Sequence, residues 1–385
     1  MIGRLTAGLA LAFAFAGVAA AKPLVVIVAE PAGTVAADLL TPYAILSESG
    51  AVDVKVASAT AKPVRLTPGV AWVAPQMTLT ELARAGSRRP DVVIVPALSV
   101  VDDPARAAWL RAQVRDGAQV MSICNGAKVL AAAGLLDGRQ ATVHWWSRGR
   151  LARTYPNVAW RRDLRWVVDG PVTTTAGISA AEPATLDLVR RLAGEAAMLR
   201  AARRLGLAAP DPRHDGAAYR LTPRGAALVV GNLLAVWRRE DVAVPLAPGF
   251  DELAFGAALE AWSRTYRSTA WAAGAPRVVS RHGLVVIRAR TLPARFDRTA
   301  APGALTDVFE AIRAAYGQAT ARFTALQFEH PYGAVGAGRS ASVSASAAPR
   351  RSSSVSAMKP HRAATSPAAA RSGVSSTERP RSRAV

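Results

Sequence analysis

Apolar residues fall along this chain in short runs separated by helical periods, and that rhythm predicts an α/β fold. Leu24 to Ala29 is an unbroken run rich in β-branched residues, the pattern of a strand buried on both faces of a parallel sheet. Asp38 to Glu48 then has helical spacing, and Gly50 stops it. Val52 to Ser58 alternates as a strand, and Asp91 to Pro96 is a second buried run ended by proline. Pro104 to Asp116 reads as an amphipathic helix stopped by Gly117. Gln119 to Ile123 is a strand that feeds through Cys124 into a helix from Gly126 to Ala133, closed by Gly134. A short strand at Ala141 to His144, a strand at Pro171 to Thr175 and a helix at Ala180 to Leu192 follow. Strands alternating with short helices predict a doubly wound parallel sheet with crossovers over residues 22–210.

The same order of elements begins again later. Val242 to Leu246 repeats the first strand, Glu252 to Trp262 repeats the helix near Asp38, and Pro276 to Ile287 echoes Pro63 to Val73. Val308 to Thr320 echoes Thr185 to Ala197 at a much shorter offset, so the second copy lacks a large middle part that includes any counterpart of Cys124. Residues 241–330 are therefore expected to form a degenerate partial repeat, with 211–240 as a connector. Such a fragment has too few strands to stand alone. It is expected to pack on the first domain as an internal pseudo-partner, burying Phe255, Leu259 and Trp262; a homodimer is the alternative.

The two ends read differently. Arg4, the apolar stretch Leu5 to Val18 and Ala19-Ala20-Ala21 resemble an export signal over residues 1–21, implying a periplasmic or secreted protein; a retained membrane anchor is the alternative. Residues 333–385 are rich in Ser, Ala, Arg and Pro without apolar periodicity and are expected to be disordered. The formal net charge of +21 would suit nucleic acid. However, nine Lys/Arg against one acid lie beyond Gly338, and the rest are scattered arginines without an interleaved aromatic block. No nucleic-acid partner is expected.

Candidate chemistry centres on the single cysteine. Cys124 sits where a strand turns directly into a helix, a nucleophile-elbow arrangement that lifts the side chain above the strand ends. A helix N-terminus facing the sulfur favours thiolate, so an apparent pKa below that of an ordinary thiol is expected, with an ionised Asp38 opposing it. The backbone around Asn125 and Gly126 offers oxyanion donors, and Ala97-Leu98-Ser99 offers a second amide. Asp38 is either a proton-handling partner or a helix N-cap; Glu30 is a weaker competitor. His144-Trp145-Trp146 is a polar group with aromatic walls or a packed histidine. Five scattered histidines and one cysteine predict no metal site, and no phosphate loop or other cofactor motif occurs.

Ser122 to Ala127, Ala133 to Trp145, Asp38-Leu39-Leu40-Thr41-Pro42 and Thr175 to Ala180 (with Ser179) together resemble the ThiJ/PfpI superfamily, itself related to class I glutamine amidotransferases. The resemblance is greatest to isonitrile hydratase-like proteins and to the sensor domains of AraC-type regulators. Arg203-Arg204-Leu205 and Arg213-His214-Asp215-Gly216 add to the latter. It implies a usually dimeric flavodoxin-like domain with Cys124 as nucleophile, Asp38 as its acidic partner and Ser179 at the pocket. Asn125 stands where other branches carry histidine or threonine. Two functions are then open: a cysteine-dependent hydrolase or hydratase acting on a carbonyl, isonitrile or amide-like carbon, or a non-catalytic domain that senses a small molecule.

Overall fold

The computed structural model describes residues 21–84 and 86–333. The expected export signal and basic tail fall almost wholly on residues 1–20 and 334–385, outside the described residues. The first repeat opens with β1 (Leu24–Ala29), β2 (Thr34–Val35), α1 (Ala36–Ser49) and β3 (Asp53–Ser58). Gly50, in the left-handed region, ends α1. Then come β4 (Val64–Thr67), β5 (Ala71–Val73), β6 (Met77–Thr78), α2 (Leu79–Leu82), β7 (Val92–Val95) and α3 (Pro104–Arg115). Asp103 caps α3 through its side chain, and Pro104 fits the first turn, where an N–H has no partner.

β8 (Gln119–Ser122) leads through Cys124 to α4 (Ala127–Ala132), β9 (Gln140–Ala141), α5 (Trp145–Thr154) and β10 (Ala159–Trp160). β11 (Trp166–Asp169), β12 (Val172–Thr175), α6 (Ala181–Ala193) and α7 (Glu195–Leu205) close the repeat. Seven strands form one sheet in the order β11-β12-β8-β7-β1-β3-β6, parallel except for antiparallel β11. This is the flavodoxin-like architecture, and both faces are covered. Val25, Ile27 and Ile94 face one core, while Val28, Val93 and Val120 face another.

Two details correct the sequence reading. The strand expected at Ala141 to His144 is only Gln140–Ala141, and His144 instead caps α5. The connector 211–240 contains a helix, α8 (Pro223–Leu234), capped by the Thr222 hydroxyl.

The segment expected to be the second repeat holds β13 (Glu240–Leu246), α9 (Glu252–Ser263), β14 (Ser268–Gly274), β15 (Arg277–Val279), β16 (Val285–Ile287), β17 (Arg298–Thr299) and α10 (Leu305–Gln327). Its parallel strands run β14-β13-β17, the order of β3-β1-β7. Gly317 interrupts α10 at φ 84 and ψ 165; Gly194, between α6 and α7, has φ 82 and ψ 167. The two break points share one backbone geometry.

The repeats join about a pseudo-two-fold. Strands β5 and β16 pair antiparallel inside a five-stranded sheet of order β15-β16-β5-β4-β2, Val73 with Val286 and Trp72 with Ile287. Exchanging Trp72 with Val286 and Val73 with Ile287 maps those two pairs onto each other. Beside this seam α1 packs on α9, and Phe255, Leu259 and Trp262 are buried. Gly256 allows the close approach: a Cβ there would lie 3.1 Å from Leu40 Cβ. One core cluster runs continuously from Val25 and Leu40 to Phe255 and Phe309.

Candidate functional site

The site starts from a strained turn. After β8 the chain must reverse into α4 within a few residues, and Cys124 takes φ 53, the left-handed region. That conformation costs a non-glycine residue about 1–2 kcal/mol. The Cys124 amide donates to Thr175 Oγ1 at 3.0 Å, and the Gly126 amide donates to Ile123 O at 2.8 Å. Gly126 is required there, because a Cβ would lie 2.0 Å from the Val95 carbonyl oxygen. These amides hold the turn and are not free oxyanion donors.

Asp38, in the first turn of α1, is fully buried. Its Oδ2 accepts from the Ala97 amide at 3.0 Å, while Oδ1 has no partner among the described residues. Burial, with the carboxyl of Glu260 as a second cause, raises its pKa well above the usual carboxylate range. Glu260 is also pushed up by burial, against the pull of Arg264. Glu260 comes from α9: its Oε2 accepts from the Ala37 amide at 2.8 Å and its Oε1 pairs with Arg264 at 2.6 Å. The second repeat thus brings a carboxylate and a guanidinium to the helix that carries Asp38.

Cys124 is only 2% exposed. Burial first, and Asp38 next, push its thiol well above the ordinary value; Arg264 opposes them. The expected low thiol pKa is therefore corrected. Desolvation and acidic neighbours outweigh a helix that is only six residues long.

The remaining candidates divide into two groups. Asn125, His144 and Trp145 line one cavity of about 370 Å³ with Trp146, Phe323 and Arg264. The Asn125 side-chain oxygen is buried without a partner among the described residues. His144 accepts from the Trp146 amide through Nδ1 at 3.3 Å and places Nε2 2.9 Å from the Gln327 carbonyl, so Nε2 carries the proton. Burial lowers its pKa and keeps it neutral.

Leu98, Ser99 and Ser179 serve elsewhere. The Ser99 amide donates to Gly33 O at 2.9 Å and Leu98 bridges to Thr34, so this loop fixes the Ala97 amide on Asp38 and does not present a second oxyanion donor. Ser179 ties down the end of the second repeat, its amide donating to Phe328 O and its hydroxyl to Glu329 O. Glu30 is taken by Arg106 at 2.5 Å.

Three residues escaped the sequence reading, Glu260, Arg264 and Glu329, all far from the elbow in sequence; His214 was singled out only within the Arg213-His214-Asp215-Gly216 motif and not as a site residue. Glu329 has φ 53, accepts from the Trp145 amide at 2.5 Å and lies 2.7 Å from His214 Nε2. Burial alone would raise its carboxyl; the His214 hydrogen bond, His144 and the Trp145 amide outweigh that and hold it low. Only the echo of the first helix at Glu252 to Trp262 pointed toward Glu260. Among the described residues, no group of three or more His, Cys, Asp or Glu side chains is arranged to hold a metal ion.

Known proteins share this frame. Over 161 residues the chain is 30% identical to the isonitrile hydratase of Pseudomonas putida, covering 41% of this chain and 67% of that protein. It is 37% identical over 112 residues to the HTH-type transcriptional regulator CdhR of Pseudomonas aeruginosa, 29% of this chain but only 33% of the regulator's length. A Streptomyces lividans protein from the cpoL 5′ region is 33% identical over 127 residues, 31% of this chain and 86% of that one. Among solved structures, Drosophila melanogaster DJ-1beta superposes with a TM-score of 0.44 at 23% identity, over 49% of this chain and 99% of that one. The DJ-1/PfpI family profile matches residues 23–191, spanning β1, the elbow and most of α6. The chain belongs to the DJ-1/PfpI family.

Proposed function

We propose that this chain binds a small, mostly apolar molecule carrying one hydrogen-bonding end, in the cavity beside the elbow. The buried Asn125 side-chain oxygen, without a partner among the described residues and set in a wall of mostly aromatic and aliphatic side chains, carries this reading. Such an atom costs free energy until something hydrogen-bonds to it. Trp145, Trp146 and Phe323 offer apolar surface, and Arg264 sets one end positive. With Cys124 resting as a thiol, recognition does not depend on covalent chemistry. The kinship with regulators such as CdhR favours a sensing role. A thermal-shift screen of small aromatic amides, alcohols and carbonyl compounds tests it. Asn125→Leu should weaken the best ligand by about tenfold or more while leaving the fold intact. Equal binding by that variant would remove the basis of the proposal.

A second reading keeps chemistry at Cys124, and the left-handed backbone there favours it. The sulfur would add to an electrophilic carbon, forming the S–C bond as one π bond of the substrate opens; Asp38, held neutral, would give its proton to the adjacent substrate atom, and its carboxylate would take up the thiol proton. The isonitrile hydratase relative suggests isonitriles as probes. An intact-mass adduct that Cys124→Ser abolishes would support this reading. Unmodified protein after long exposure at alkaline pH would end it.

A further inference from the structure

Helix α8 has an outer face with no partner among the described residues. Asn232 turns inward, its side-chain amide donating to the Thr265 carbonyl at 3.0 Å. Outward, the exposed residues between Arg224 and Arg238 are Ala227, Val230, Gly231, Leu233, Leu234, Val236 and Trp237, all apolar or glycine. Leu234 is 68% and Trp237 78% exposed. A solvated helix ordinarily carries charged residues on that face. Here charge is confined to the ends, Arg220 just before the helix, Arg224 in its first turn, and Arg238 and Arg239 after it. No acidic residue occurs from Gly216 to Arg239. Glu240, the next acid, is already held by Arg298 and Tyr316.

We propose that α8 and the turn after it dock on a bilayer bearing anionic lipids, the apolar face entering the interfacial region and the four arginines pairing with headgroups. An apolar centre, a tryptophan at its edge and uncompensated arginines at both ends match what an anionic lipid surface attracts. A second copy fits poorly. A two-fold contact through this face would set arginine-flanked helix ends against arginine-flanked helix ends. Docking is independent of the chemistry at Cys124. One consequence rests on the pocket reading above: Val230 also lines the cavity, so docking brings the cavity mouth to the lipid, a reservoir of small apolar ligands.

Co-sedimentation of the full chain with vesicles of phosphatidylcholine, with and without a quarter phosphatidylglycerol, tests the docking at about 0.1 M salt. The anionic vesicles should bind the chain and shift its tryptophan emission to the blue. Leu234→Ser/Trp237→Ser should cut partitioning about tenfold or more without changing thermal stability, because both side chains are exposed. Trp237→Phe should remove most of the shift. Absence of binding, or equal binding by the double variant, would overturn the proposal. So would a dimer in solution that the double variant dissolves while vesicle binding persists. Small-molecule binding by the Asn125→Leu variant is a separate readout, so failure of the pocket reading and failure of docking are told apart.

Discussion

Two acids open equivalent helices in the two repeats, and they are treated in opposite ways. Asp38 lies in the first turn of α1 and Glu252 in the first turn of α9; both are fully buried. Burial pushes both carboxyls up. Glu252 is rescued: His282 donates from its backbone amide at 2.9 Å and meets the carboxylate again through Nδ1 at 2.9 Å, holding Glu252 below its ordinary range. The same imidazole reaches Glu48 on α1 at 3.1 Å, so this acid ties the repeats together. Asp38 has the Ala97 amide alone, a bare second oxygen and Glu260 nearby, and it stays high. One position has become a structural tie, while its counterpart keeps an unsatisfied carboxyl beside the elbow. An equivalent fold position does not fix a role; the partners supplied to it do.

The largest way to break this comparison is to remove one side of it. A chain ending near Ala209 would expose the face of α1 that packs on α9 and strip Glu260 from the Ala37 amide. It should aggregate or lose fixed tertiary structure by near-ultraviolet circular dichroism. A soluble monomer as stable as the full chain would show that the second repeat is dispensable. Next, Arg264→Ala leaves Glu260 buried and unpaired, at a cost of about 3 kcal/mol in denaturant unfolding. Adding Glu260→Gln should recover much of that loss, and a double-mutant cycle measures the coupling. Smaller again, Gly256→Val overfills the helix crossing at Leu40 and should cost about 1–3 kcal/mol.

The smallest effects sharpen the contrast between the acids. Asp38 holds its proton in the folded state above the unfolded value of about 3.9, so its contribution is present at low pH and lost as pH rises through the raised folded value. Asp38→Asn should flatten that fall, by at most about 1.4 kcal/mol per pH unit for one proton. Glu252 runs the other way. Its contribution is present above about pH 4.3 and lost on acidification, so Glu252→Gln should flatten the acid limb instead. Stability curves against pH for the two variants decide it; parallel curves would erase the distinction.

Much of this frame was legible in the chain itself. Buried parallel strands leave β-branched runs such as Leu24–Ala29 and Val92–Val95, and Gly50 marks the end of α1 because only a left-handed residue fits there. Over residues 241–330 an echo of the first domain's elements was expected from their order, whereas the break at Gly317 inside α10 was not anticipated. Partners from distant segments left no local trace. Glu260, Arg264 and Glu329 become site residues only when β5 meets β16 and α1 meets α9. Helix α8 was missed for another reason. Its cap at Thr222-Pro223 and the apolar positions Ala226, Val229, Val230 and Leu233 were visible, but a connector was expected there. The thiol was misjudged because a helix terminus is a local feature, whereas burial and the neighbouring carboxyl of Asp38 come from the assembled fold.

The pH dependence of Cys124 alkylation, followed in the wild type and in Asp38→Asn, bears most directly on the account that the site is a desolvated acid–thiol pair at rest. The wild-type rate should titrate above the ordinary thiol value of about 8.5, and Asp38→Asn should lower that midpoint, since the carboxyl is the second cause of the shift. A wild-type midpoint below the ordinary value, unmoved by Asp38→Asn, would contradict it.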